Sequence, residues 1–329
     1  MEIAKALVLA GGSPGDTPWP SVEPTPKALV PVANRPILFH NLDMLRRSGV
    51  LEAAIAVTYG AAPAIRQAIG DGSDWGLDIS FAEYAPQDGL DAVLGMTRDF
   101  LGDEPVLVQE GDALLRQRIN HHIATFATER LDAVVLRLPA TGADPEQAAG
   151  GWMLSTRGVR MLQDRRHAQQ DPVAYIRQHG GGVGAVDVEG CLFRHGGQAA
   201  LLEGNRRMLD ELRADHQAPS LPGCELQGPV VVHPDAHLER TLVRGPAIIG
   251  PGARLTDAYV GPYTSIGPDV TIEGAEIEYS IVLAGAELRF IGARIESSVI
   301  GEGARVGRAF SIPTAMRLSV GAGAEIQLP

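Results

Sequence analysis

Residues 243–277 read VRGPAIIGPGARLTDAYVGPYTSIGPDVTIEGAEI, with branched apolar residues at Val243, Ile249, Leu255, Val260, Ile266, Ile272 and Ile277. The intervals are 6, 6 and 5, a repeat of about 17 residues with glycine or small residues between short β-prone runs. That pattern predicts a parallel β-helix, in which each coil lays its branched side chains on those of the next. It begins after the proline- and glycine-rich stretch HQAPSLPGCELQGP at 216–229. We therefore divide the chain into 1–225 and 226–329.

Upstream the text alternates differently. AKALVLA, EAAIAVTY, DISFAEYA, PVLVQEGD and DAVVLRLPA read as strands, and amphipathic helical patterns lie between them. This order predicts a mainly parallel, Rossmann-like α/β sheet covered on both faces. Ligands then sit at the carboxyl ends of the strands, where Gly11-Gly12 and Gly111-Asp112 fall. TGADPEQAAGG at 141–151 reads as a loop, GAVDVEGCLF at 184–193 as one strand, and QAALLEGNRRMLDELRAD at 198–215 as a helix.

Composition narrows the function. The chain has 329 residues, 45% of them apolar, enough for one large or two modest domains. A net charge of −12 repels a phosphate backbone and argues against a nucleic-acid partner. No apolar run approaches the roughly 18–20 residues that span a bilayer. The first residues read as a strand and not as a leader, so a cytoplasmic protein without a membrane partner is expected. Cys191 and Cys224 have neither metal-ligand spacing nor disulfide density. Of 28 basic residues only Lys5 and Lys27 are lysine, which draws attention to the compact ammonium of Lys27 inside a proline-rich loop.

The motifs LVLAGG, PKALVPVANRPIL and Gly111-Asp112, followed by the hexad-repeat tail, resemble the sugar-1-phosphate nucleotidyltransferases, in particular the long-form glucose-1-phosphate thymidylyltransferase-like proteins of bacterial antibiotic sugar pathways. The resemblance is strong over 4–40, 87–113 and 200–310 and weak over 131–195. It implies a GT-A-like nucleotidyltransferase domain followed by a β-helix of left hand. It also implies a reaction of a nucleoside triphosphate with a sugar 1-phosphate, with magnesium, giving a nucleotide-diphospho-sugar and pyrophosphate. Such chemistry is mostly positioning and neutralisation of charge.

Carried onto this chain, the resemblance assigns Leu9, Ala10, Gly11 and Gly12 to the base and ribose. Lys27 falls to a phosphate contact and Asp112 to the metal. Gly89 falls to a glycine-leucine pair closing over the ligand, and Gln87 to the base edge. The glycine pair also reads as a plain tight turn, and Asp112 as a turn or cap residue. The departures are as informative. Where the family loop reads G-x-G-T-R-L, this chain has Pro14-Gly15-Asp16-Thr17-Pro18, with Thr17 at the arginine's place. An arginine on a transferring phosphoryl group is worth roughly 10³–10⁵ in rate, or about 4–7 kcal/mol. Upstream of Leu201-Leu202-Glu203-Gly204-Asn205-Arg206, Arg194 stands where the family's second metal aspartate belongs. A cation cannot ligate a metal, though Arg194 is a candidate substitute phosphate contact. The family's sugar-phosphate lysine has no counterpart between 131 and 195.

Other chemistries fit less well. There is no G-x-G-x-x-G after the first strand and no G-x-x-x-x-G-K-[ST]. His121-His122 lie side by side on a helical pattern and diverge by about 100°. From 241 to 329 there is no histidine or cysteine to serve as an acyltransferase base or nucleophile, and His233 and His237 stand only at the entry. The β-helix reads instead as a module for packing and homo-oligomerisation, its end coil covered by a partner or by the tail RLSVGAGAEIQLP. Two readings remain open: a divergent nucleotidyltransferase, and a catalytically inactive relative that binds nucleotide or nucleotide-sugar as a regulatory or scaffold subunit.

Overall fold

The computed structural model describes residues 3–11, 25–85, 90–139, 149–163, 171–193, 197–213 and 223–308. The α/β part contains strands β1 (Lys5–Leu9), β2 (Pro31–Val32), β3 (Arg35–Pro36), β4 (Glu52–Thr58), β5 (Asp78–Tyr84), β6 (Val106–Glu110), β7 (Ala113–Leu115), β8 (Ala133–Arg137), β9 (Ala149–Leu154), β10 (Val183–Asp187) and β11 (Gly190–Leu192). Its helices are α1 (Ile37–Arg47), α2 (Ala62–Ile69), α3 (Leu90–Met96), α4 (Arg98–Leu101), α5 (Asn120–Glu129), α6 (Thr156–Gln163), α7 (Pro172–Gln178) and α8 (Gly197–Leu209).

Seven strands form one sheet in the order β10-β8-β9-β6-β1-β4-β5. β1 pairs in parallel with both β4 and β6, and β4 with β5. Side chains alternate between faces, as strand geometry requires. Ala6 and Val8 of β1 join Leu38, Leu42 and Leu45 of α1 and Ile65 of α2. Leu7 points the other way, onto Val93 and Leu94 of α3, Leu162 of α6 and Ile176 of α7. Both faces are therefore covered, as the run of apolar strands requires.

Two local expectations fail. Ala149–Gly151 read as loop but open β9, which runs antiparallel between β6 and β8. A Cβ on Gly151 would come within 3.1 Å of Gln109 Cα, so the glycine that suggests a loop is there for close strand packing. The stretch 184–193 is two strands, because after β10 the chain turns and β11 pairs antiparallel with β7.

From Glu225–Gln227 to Arg305–Gly307, three five-stranded parallel sheets stack as a left-handed parallel β-helix. Val243 aligns with Val260, Ile277 and Ile295, and Leu255 with Ile272 and Leu288. All seven hexad positions are at most 1% exposed. The corners meet the expectation of glycine or small residues in part: Gly252, Gly274, Gly285, Gly303 and Ser297 hold positive φ, but so do Arg240, Asp257, Tyr263, Asp269, Tyr279 and Phe290. Arg240 pairs with Asp257 on the next coil, Nε–Oδ1 2.6 Å, so charge also stacks along a corner.

The β-helix is seated on the α/β part. Ile281 and Leu283 share a core with Val30, Val32, Ile37, Leu114, Phe193 and Leu201. Ile272→Ala should cost about 2–5 kcal/mol in chemical denaturation, the usual range for a buried aliphatic truncation. Ile248→Ala, on the outward face of its strand, should cost far less.

Candidate functional site

The central strands end together. Register places Leu9 of β1 beside Glu110 of β6. One residue further, Ala10 N donates to Ala56 O at 2.8 Å and Gly111 N donates to Leu9 O at 3.0 Å. A Cβ on Gly111 would lie 2.8 Å from both Ala10 Cα and Leu9 O. Only glycine permits this approach, which brings Asp112 to the strand end that carries Leu9, Ala10 and Gly11. Asp112 is 9% exposed, and its carbonyl accepts from Phe193 N at 3.0 Å.

Lys27 opens a one-turn 3-10 helix, Lys27–Leu29. Its neighbour Ala28 is buried in the same core as Ala10 and Ala113, which fixes the Lys27 backbone against the strand ends. The chain then passes Val30, whose carbonyl accepts from Ile37 N at 2.9 Å, into α1. Leu9, Ala10, Gly11, Lys27 and Asp112 thus belong to one region. Gly12, Thr17, Gln87, Gly89 and Arg194 lie outside the described residues.

Several polar groups in this region escaped the sequence reading. Gln109 on β6 and Asn41 on α1 are fully buried, and Asn41 Nδ2 donates to Gly111 O at 3.5 Å. Glu110, at 8% exposure, points to the opposite face from Gln109. The available signal was the Gln109-Glu110 pair at the end of an otherwise apolar strand, where polar side chains are costly without a purpose.

Other candidates fall away. Burial pushes the Cys191 thiol up to about 11, which leaves it a protonated core residue. His121 is exposed, and His122 Nε2 meets Gln117 Nε2 at 3.3 Å. Among the described residues no group of three metal-ligating side chains occurs.

Residues 5–147 match the sequence model of the family described as Nucleotidyl transferase. A glucose-1-phosphate thymidylyltransferase of Streptomyces griseus is 32% identical, over 96% of this chain and 97% of its own. One from Streptomyces antibioticus is 29% identical over 98% and 99%. The low-salt glycan biosynthesis nucleotidyltransferase Agl11 of Haloferax volcanii is 27% identical over 98% and 100%. The chain belongs to the sugar-1-phosphate nucleotidyltransferase family. A Bacillus anthracis structure described as a glucose-1-phosphate thymidylyltransferase in complex with a sucrose superposes with a TM-score of 0.55. At 16% identity, over 65% of this chain and 98% of that one, it shows the shared fold.

The Leu201–Arg206 segment holds an ion-pair cluster. Glu203 accepts from Arg206 Nε at 2.8 Å and from Arg207 Nε at 2.7 Å, and Arg207 also donates to Gly190 O at 2.7 Å. These bonds, the Arg206 ones foremost, hold the Glu203 carboxyl at about 2, below its ordinary 4.5. A depressed carboxyl contributes stability above its unfolded value and loses it as pH falls through the folded one. Glu203→Gln should therefore melt below the wild type at neutral pH. The gap should close between pH 4.5 and about 2, as read by thermal unfolding across that range.

Proposed function

We propose that this chain binds a nucleoside triphosphate along Leu9–Gly12 and transfers its nucleotidyl group to a sugar 1-phosphate, releasing pyrophosphate. The observation that carries this reading is the junction of Leu9–Gly11 with Gly111–Asp112 at the carboxyl ends of β1 and β6, with the Lys27 turn packed beside it. A sugar-phosphate oxygen forms the new bond to the α-phosphorus, and the bond from the α-phosphorus to the oxygen bridging to the β-phosphate breaks. Lys27 would neutralise phosphate charge. Gly89 would close over the ligand and Gln87 would face the base edge.

Asp112 fits magnesium, a hard cation that is commonly held by one or two carboxylates together with substrate phosphates. Its carboxylate lies at the strand end beside the proposed phosphate path. When bound, magnesium supplies neutralisation at the phosphate oxygens. The resemblance of its motifs to the long-form proteins of antibiotic sugar pathways is the ground for placing the reaction in a bacterial secondary-metabolite sugar pathway.

A second reading has its own support. Thr17 and Arg194 stand where an arginine and a metal aspartate are expected. That favours a catalytically inactive relative that binds nucleotide as a regulatory or scaffold subunit, with Arg194 on a phosphate. Both readings keep 1–225 as the ligand domain and 226–329 as the module that joins copies. Among the described residues no helix is long and apolar enough to cross a membrane.

Pyrophosphate release decides between them. From triphosphate and glucose 1-phosphate, the divergent enzyme should run at least about 10³-fold slower than an intact family member, and the inactive relative should release none. Thr17→Arg alone should stay slow, and Thr17→Arg with Arg194→Asp should recover part, because groups that act as a unit are non-additive. A wild-type turnover inside the ordinary enzyme range of roughly 1–10³ per second would sink the inactive reading. For assembly, light scattering should give a particle larger than the 34.8 kDa chain, and a clean monomer across micromolar concentrations would contradict the joining role.

A further inference from the structure

Gly11 is not a glycine for the sake of its backbone. Its φ lies outside the left-handed region, so a positive φ is not what calls for glycine there. What excludes a side chain there is Tyr84. A Cβ built on Gly11 would lie 2.6 Å from Tyr84 Cζ and deeper still inside the shell of the Tyr84 hydroxyl oxygen. Tyr84 is the last residue of β5, the edge strand, and register pairs it with Thr58 of β4. β1 is two strands away, about 10 Å at the usual strand spacing. The phenol crosses the carboxyl end of β4 to reach Gly11. Tyr84 packs against the buried cluster that holds Leu7, Ala54 and Ala56.

We infer that Tyr84 is a built-in plug of the slot over Gly11, which a planar ligand group must displace in order to lie on the Gly11 backbone. The inference rests on the nucleotide reading of that slot. Two bodies cannot fill one volume, so the half-buried ring has to move before a ligand group can take its place. The ligand-free fold is therefore a mixture of ring-in and ring-out states, and only the second accepts a base. Apparent affinity is reduced by the fraction that is competent. The ring also filters ligands, because a nucleobase has to replace the apolar contacts that the phenol gives up, and a bare sugar phosphate cannot.

Calorimetric titration of the full chain with magnesium and the triphosphates of adenine, guanine, cytosine, uracil and thymine tests this. Tyr84→Ala should bind the preferred triphosphate about tenfold more tightly than the wild type, as expected if roughly a tenth of molecules are ring-out. Tyr84→Phe, which keeps the ring, should gain less. Equal or weaker binding by Tyr84→Ala overturns the plug and makes the ring a support for the base instead. Binding by neither protein overturns the nucleotide reading, and a second measurement then decides the ring's role. Gly11→Ala should lower the melting temperature of the wild type more than that of Tyr84→Ala, since contacting residues are non-additive. A Gly11→Ala protein that folds only in the Tyr84→Ala background supports the plug equally. The same loss in both backgrounds overturns it.

Discussion

One buried carboxamide ties the molecule together. Asn205, on α8, is fully buried, and its Oδ1 accepts from Ala33 N at 2.9 Å and from Ser265 Oγ at 2.7 Å. Its Nδ2 donates to Tyr263 O at 3.2 Å. Beside it, Asn34 Nδ2 donates to Ile266 O at 2.6 Å. Three segments far apart in sequence meet there: the β2–β3 turn, α8, and one coil of the β-helix. Loss of the carboxamide would strand the buried Ser265 hydroxyl, at about 1–3 kcal/mol, and remove the acceptor of the half-buried Ala33 N–H. Ala33 and Asn34 hold left-handed backbones in a turn only a few residues beyond Lys27. The β-helix thereby acts as the seat on which the segment carrying Lys27 is set.

Electrostatics shape the same region. Of the two lysines, Lys5 lies at the amino end of β1, where Nζ donates to Phe100 O at 2.8 Å and stands 3.6 Å from Glu104. Lys27 stands in the turn that packs, through Ala28, on the core of the strand ends where Glu110 and Asp112 are buried. Many arginines elsewhere are engaged: Arg206 and Arg207 on Glu203, Arg240 on Asp257, Arg294 on Glu276 and Glu278. In a chain of net charge −12, a triphosphate bound at this end, as proposed, would need a counter-ion carried with it. That is the physical ground for expecting binding to depend on magnesium.

The sequence was legible where structure follows from short-range pattern. The hexad residues are the β-helix core, and the glycine pattern marks the junction of β1 and β6, because both arise from local spacing or from backbone approach. It was illegible where distant chain decides. Gly150 and Gly151 look like a loop until β6 and β8 enclose them. Gln109 and Asn41 are polar inside a core that only the tertiary packing of α1 on β6 defines. Tyr84 closes on Gly11 across an intervening strand, a contact that no periodicity along the chain encodes.

The β-helix repeat carries one more lesson in where it breaks. The series of 6, 6 and 5 runs without fault to Ile277 and then slips. Ile266 pairs with Val282, one residue short of a 17-residue coil, and Ile277 pairs with Ile295, one residue long. The short turn contains Tyr279, packed against the core that α8 shares with Ile281 and Leu283. The turn one coil earlier carries Tyr263 and leads to Ser265, the partners of Asn205. A free-standing β-helix has no reason to shorten a coil, since identical coils stack branched side chains most evenly. The short turn falls where the coils meet the α/β part, so that part sets its length, whereas the added residues lie between Leu288 and Ile295, at a corner exposed to solvent.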